Sequence, residues 1–219
     1  MKYIKLFLAC CSSICLISCH AQKENTKNNK VNTVVITKNF EQFNKSKYNK
    51  LKTGTSDLVS ETLPDGTYIE MLTSNIGPKY IETQVDSYFS LLKIYYPNDN
   101  IKSKGAYFNV PWGGFKKGIW YQFDEKGNLI KEINYDKDYK FGFEQLLLFC
   151  DREKIPLGRG AIRQSTGYHT MIRRKELPAP DEARWTINWL KQSNVEETIT
   201  LDGNTGKVLL RREQEYINN

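Results

Sequence analysis

The stretch "GIWYQFDEKGNLIKEINYD" (118–136) constrains the fold more than any other part of the chain. Apolar and polar side chains alternate on both sides of a turn, Asp124-Glu125-Lys126-Gly127-Asn128. Ile119, Tyr121 and Phe123 then share one face, and Leu129, Ile133 and Tyr135 share one across the turn. Successive strand side chains point to opposite faces, so this alternation predicts a half-buried antiparallel hairpin. Gly127 suits the left-handed position of a type I turn with a bulge. Upstream, "TVVIT" (33–37), "GTYIEML" (66–72), "KYIETQV" (79–85), "SLLKIYY" (90–96) and "GAYFNV" (105–110) read as further strands, punctuated by "PDG", "NIGP" and "PNDN".

The amino terminus reads differently. Lys2 and Lys5 precede "LFLACCSSICLI" (6–17), an apolar run of signal-peptide length and too short to span a bilayer as a helix. It leads into "LISC" (16–19), which resembles the bacterial lipobox. That resemblance implies removal of residues 1–18, a diacylglycerol thioether on Cys19, and acylation of its new amino group. Two or three acyl chains hold a protein on a membrane, whereas one anchors marginally. Of the five cysteines, those at 10, 11, 15 and 19 fall in the signal or at the lipid site. Only Cys150 is left as a free thiol, so the remaining 201 residues must rely on a hydrophobic core and not on disulfides. Loss of Lys2 and Lys5 lowers the formal charge from +7 to +5. That mild excess speaks against nucleic acid and favours acidic proteins or anionic headgroups. "HAQKENTKNNKVN" (20–32) has almost nothing to bury and reads as a flexible tether over residues 19–32.

"DGTYIEM", "NDNIKSKGAYF" and "EKGNLIKEINYD" each set a polar turn before a strand. Through Gly118, Trp120, Tyr121, Phe123, Asp124, Gly127, Asn128 and Leu129, the region resembles the degenerate MORN-type repeats of bacterial antitoxin and immunity-like proteins. Residues 33–138 are therefore expected to form a meander of hairpins.

"YKFGFEQLLLFCDREKIP" (139–156) is the clearest helix. Gly142 and Gln145 have N-cap and N3 spacing, Phe141 and Leu146 suit a hydrophobic staple, and Pro156 ends the run. Phe143, Leu146, Leu147 and Cys150 recur at helical spacing on one face. In "RWTINWL" (184–190), Trp185, Ile187 and Trp189 share a face, and "EETITLDGNTGKVLLRRE" (196–213) is a hairpin about Asp202–Gly206. The run from Trp185 through "ITLDGNTGKVL" resembles PepSY-type modules of bacterial envelope proteins, a family associated with protease inhibition or regulation. The fold class expected overall is α+β, mainly β: an antiparallel meander, then over 139–219 a helix packed on a small antiparallel sheet.

Catalytic motifs are scarce. No G-x-S-x-G, H-E-x-x-H or Walker-type loop occurs. Cys150 and His169 are a conceivable nucleophile–base pair, but a cysteine on an apolar helical stripe ordinarily serves as a small buried hydrophobe. Glu70, Glu82, Asp86, Asp124, Glu132, Asp136 and Asp138 are scattered, with no spacing that marks a glycosidase pair. Two features point to recognition. "PWGGFKKG" (111–118) carries Trp112, Phe115, Lys116 and Lys117, the composition of an exposed aromatic anchor flanked by cations. Arg159, Arg163, Arg173, Arg174 and Lys175 are arranged to offer a basic stripe.

The expectation is a lipoprotein of the bacterial cell envelope, periplasm-facing or on the cell surface. It would be non-enzymatic, with no cofactor and no metal, and would bind a protein partner. The MORN-type resemblance implies an immunity role against a toxin delivered to the periplasm, the toxin being acidic. The alternatives are a PepSY-like regulator of an envelope protease or assembly factor, and an envelope glycan or lipid hydrolase.

Overall fold

A computed structural model of the chain describes residues 36–108, 110, 114–162, 167–175 and 183–217, all within a unit that runs from Val31 to Asn219. Cys19, the tether and Trp112 lie outside the described residues, as does Arg163. Among the described residues no helix is long and apolar enough to cross a membrane.

Seven strands form a meander in which every strand pairs antiparallel with its sequence neighbours: β1 (Leu58–Thr62), β2 (Tyr68–Leu72), β3 (Lys79–Thr83), β4 (Phe89–Tyr95), β5 (Ile101–Phe108), β6 (Lys116–Phe123) and β7 (Leu129–Asn134). Polar turns set the register. At the β6–β7 turn the Asp124 carboxylate accepts from the backbone N–H of Lys126 at 3.0 Å and of Asn128 at 2.8 Å. Gly127 there has φ +90°, the left-handed region that glycine enters without steric cost. A register shift between Gln122 and Phe123 accompanies the turn.

The helix α2 (Phe143–Glu153) follows. The Gln145 side chain accepts from the Gly142 backbone N–H at 2.9 Å, closing the first turn. Phe143, Leu146, Leu147, Phe149 and Cys150 are buried, while Leu148 on the reverse side is exposed. A second antiparallel sheet has strand order β11-β10-β9-β8, built from β8 (Met171–Arg174), β9 (Arg184–Gln192), β10 (Val195–Asp202) and β11 (Val208–Glu215). Its Asp202 carboxylate caps the hairpin by accepting from Asn204 and Thr205 N–H at 3.0 and 2.9 Å. The mainly-β, α+β fold with a meander, a helix and a small antiparallel sheet is thus the observed one.

Two cores hold these elements. The larger joins Phe89, Phe108 and Phe115 of the first sheet region to α2 and to Ile172, Trp185, Ile187, Trp189, Ile199 and Leu201 of the second sheet. The Phe115 ring meets the Trp185 ring edge-on at 5.0 Å, so the two sheets share a core across residue 138. The smaller core packs Phe43 and Tyr48 on Val59, Ile69, Met71, Tyr95, Ile101 and Phe123. Burying each such side chain contributes roughly 1.5–3 kcal/mol.

Three local expectations are corrected. In "TVVIT", Ile36 and Thr37 are not strand; residues 36–44 run across the first sheet as a strap with one bridge, Gln42 to Asn100. The strap leads into a short helix, α1 (Lys45–Leu51), which sequence periodicity did not indicate. Finally, Ile119 is exposed, whereas Trp120 is 2 % exposed. The register shift between Lys104 and Ala106 in the β5–β6 pairing re-aims β6 there, so the face assignment read from simple alternation fails.

Candidate binding surface

The pairing registers assign every strand residue of the meander to one of two faces. On the inner face, Val59, Met71, Tyr80, Lys93, Lys104 and Tyr121 stand directly opposite one another in one row. This face carries both cores. On the outer face, one row reads Ser60, Glu70, Ile81, Leu92 and Gly105, and the next reads Leu58, Leu72, Lys79, Ile94, Ser103, Gln122 and Lys131. A third holds Tyr107 and Lys116.

Leu72, Ile81, Leu92 and Ile94 are half-buried by their own sheet neighbours and belong to neither core. Trp120 completes the apolar centre. Its indole lies flat over Gly105, where a Cβ would overlap the ring, and its Nε1–H donates to the Ala106 carbonyl at 3.0 Å. Tyr135 meets the indole edge-on at 6.2 Å. The Lys116 ammonium lies 5.3 Å from the Trp120 ring and 4.8 Å from the Tyr135 ring, and donates to Tyr135 Oη at 3.1 Å. The result is a half-buried aliphatic strip across β2, β3 and β4, flanked by the buried Trp120 indole and bordered by Lys79, Lys116 and Lys131 against Glu70. An apolar centre with a charged rim is the composition of a protein-recognition patch.

The residues singled out from the sequence are not brought together as foreseen. Phe115 is 1 % exposed: it stacks on Phe108 at 5.2 Å inside the core and is no surface anchor. Strand alternation explains this, since Phe115 points inward, Lys116 outward and Lys117 inward again. Lys117 is held by Asp136 at 3.1 Å and Glu144 at 3.4 Å. Arg174 is also interior, and the basic stripe does not form. Its guanidinium is bound to Asp136 at 2.8 Å, donates to the Lys116 carbonyl, and lies about 5 Å from the rings of Phe115 and Tyr139. Arg173, its neighbour, points to the opposite side and is exposed. Arg159 stacks on Tyr88 at 4.6 Å. Lys116 is therefore the only described member of the two predicted clusters on the outer face of the meander.

Cys150 is fully buried, and burial, assisted by the charges of Asp151 and Glu153, pushes its thiol up to about 12. Burial that keeps the thiol protonated makes it a poor nucleophile at neutral pH, which disfavours the Cys150–His169 pairing. Among the described residues no group of three His, Cys, Asp or Glu side chains is placed to hold a metal ion.

Two concavities flank the strap. Cavities of about 160 and 270 Å³ share Glu41 and Lys93. Glu41 accepts from Lys93 at 2.5 Å and Lys104 at 2.7 Å, and Lys104 also donates to the Asn39 carbonyl at 2.6 Å. Burial disfavours the Glu41 charge, but hydrogen bonds from the two lysines outweigh it and hold the carboxyl below its ordinary value. The same holds for Asp136, where burial is outweighed by the Lys117 charge and the Arg174 hydrogen bond.

A folded-state pKa below the unfolded one contributes stability above the ordinary carboxylate value, about pH 4, and that stability is lost as pH falls through the lowered value. Thermal melts taken down a pH series should therefore show the midpoint falling steeply below about pH 4. Replacing Asp136 by Asn should flatten that acid limb; an unchanged limb would remove Asp136 from the account.

Comparison of the chain with protein-family models, with curated proteins and with solved structures finds no match.

Proposed function

We propose that the chain is a lipid-anchored envelope protein that binds a protein partner through the outer face of its seven-stranded sheet. The observation that carries this reading is the half-buried aliphatic patch of Leu72, Ile81, Leu92 and Ile94, framed by lysines and covered by no helix or sheet among the described residues. Contiguous apolar surface of this kind on a folded domain marks an interaction site. Three lysines against one glutamate on that face favour an acidic partner through steering and register. The lipobox-like "LISC" supplies the anchor, and the MORN-type resemblance of 118–129 favours inhibition of a toxin delivered to the periplasm. Inhibition by occlusion needs area and fixed shape, which a wide antiparallel sheet provides.

The state of Glu41 counts against its serving as a catalytic acid in the cleft beside the strap. A catalytic acid in a cleft needs a raised pKa, and the two lysines lower this one.

The test is affinity capture with residues 23–219 from an envelope extract of the native organism, read by mass spectrometry. One salt-resistant protein near equal stoichiometry is the expected outcome, and a toxin or secreted effector would identify the inhibitor role. An envelope protease or assembly factor would replace that role with the PepSY-like one. Recovery of no stoichiometric protein would remove the protein-binding reading.

A further inference from the structure

The carboxy-terminal strand β11 forms one edge of the second sheet: it pairs with β10 and, among the described residues, with no other strand. All eight of its residues, Val208–Glu215, are exposed. An edge of this length presents a row of unpaired N–H and C=O groups, a template for strand addition. Proteins usually blunt such edges with proline or interior bulges. β11 has no proline, and its register shift lies at its start, between the pairs formed by Thr200 and Leu201.

Charge is the remaining means of protection, and its arrangement here favours pairing. The strand reads V-L-L-R-R-E-Q-E, with Arg211 and Arg212 followed by Glu213 and Glu215. Parallel pairing in register would set arginine beside arginine. Antiparallel pairing of two identical strands places the same faces of both sheets together, about a two-fold axis perpendicular to the sheet. If that axis passes through Arg212, Arg211 of each copy faces Glu213 of the other, but the two Arg212 side chains face each other, which disfavours this register. If it passes through Glu213, Arg211 faces Glu215, and the doubled Glu213 charge is met by Lys191, which already pairs with it at 2.5 Å. In the register centred on Glu213, Leu210 falls opposite Tyr216, which lengthens the apolar contact; in the other it falls opposite Gln214. We infer that β11 is a homodimerisation edge, joining two copies of this chain into one continuous eight-stranded antiparallel sheet.

The inference is independent of the outer-face reading, since β11 belongs to the other sheet. Its test uses residues 31–219, whose two cores lie wholly within that span. Cys150 is the one cysteine there and is buried, so an introduced thiol is the accessible one. Single cysteines are placed at Arg212, at Glu213 and, as a control, at Ile130 on the exposed β7 edge, then oxidised. Sedimentation velocity is run in parallel up to several hundred micromolar. The expected result is a monomer–dimer equilibrium and a disulfide-linked dimer from position 212 or 213, with none from 130. The double variant Leu210→Lys, Glu215→Arg should weaken dimerisation at least about ten-fold. A chain that stays monomeric throughout, cross-links formed at 130 in preference to 212 and 213, or growth beyond a dimer would each overturn the inference, because an isologous edge contact closes on itself.

Discussion

Replacing Arg174 by methionine is expected to cost about 3–5 kcal/mol. The side chain is 3 % exposed and ties three parts of the fold together. From β8 in the second sheet it reaches Asp136, just past the end of β7, and the Lys116 carbonyl at the start of β6. The rings of Phe115, Tyr139 and Trp185 surround it at 4.9–5.5 Å. Methionine fills much of the same volume, so little of the loss comes from packing. The cost arises because Asp136 keeps only Lys117 and the Gly118 N–H, each at 3.1 Å, and the Lys116 carbonyl loses its donor. Breaking one side of a buried ion pair is costly, whereas removing both sides is often tolerated. The double variant Arg174→Met, Asp136→Leu should therefore recover a large part of the stability. In a chain of this size the single variant corresponds to a melting point lower by roughly 6–20 °C. A shift under about 2 °C would show that the Arg174–Asp136 pair is not what fastens the sheets together.

The second large effect is expected at Gly105. Its conformation is ordinary for a strand, so the requirement is for space alone. A Cβ would occupy the position of the Trp120 indole, and the ring cannot step aside without giving up its hydrogen bond to the Ala106 carbonyl. Gly105→Ala should cost about 2–4 kcal/mol, between ordinary overpacking and loss of a buried tryptophan. Displacement of the indole into solvent should also move tryptophan emission to longer wavelength. With Trp120 already replaced by leucine, the same alanine should cost less than about 1 kcal/mol, because the two residues act as one unit. Equal costs in both backgrounds would show that Gly105 is needed for some reason other than the indole.

These two positions also mark how far the sequence could be read. The turn of the 118–136 hairpin, the amphipathic α2 and the alternating Trp185, Ile187 and Trp189 were legible because turn chemistry or local periodicity agrees there with the tertiary structure, whereas the faces at Ile119 and Trp120 were not. α1 was not legible: in "KSKYNKL" Tyr48 is the buried residue of the helix, so no apolar stripe exists to read. For the loop at 111–118 the sequence suggested an exposed Phe115, which the structure buries. Composition alone does not say which of Phe115, Lys116 and Lys117 points inward; strand alternation does, once the start of β6 is known. Arg174 illustrates the same limit, because two adjacent arginines on a strand look like a surface feature until a half-buried carboxylate, Asp136, meets one of them from elsewhere in the chain. The available signal for Trp120 was Gly105, since a glycine inside a strand pattern marks the close approach of another group. Which group approaches was fixed by a register shift that no local pattern reveals.

The most direct measurement is the dissociation constant of the captured partner for the native protein and for Leu92→Asp, each first shown to melt cooperatively. Leu92 stands at the middle of the outer face, opposite Ile81 and Gly105, and contributes to neither core. If that face is the binding surface, a charge at its centre should weaken binding at least about thirty-fold, the loss of a central hot spot. Unchanged affinity for Leu92→Asp, with the partner still bound at equal stoichiometry, would place the interaction elsewhere and contradict the assignment of the outer face.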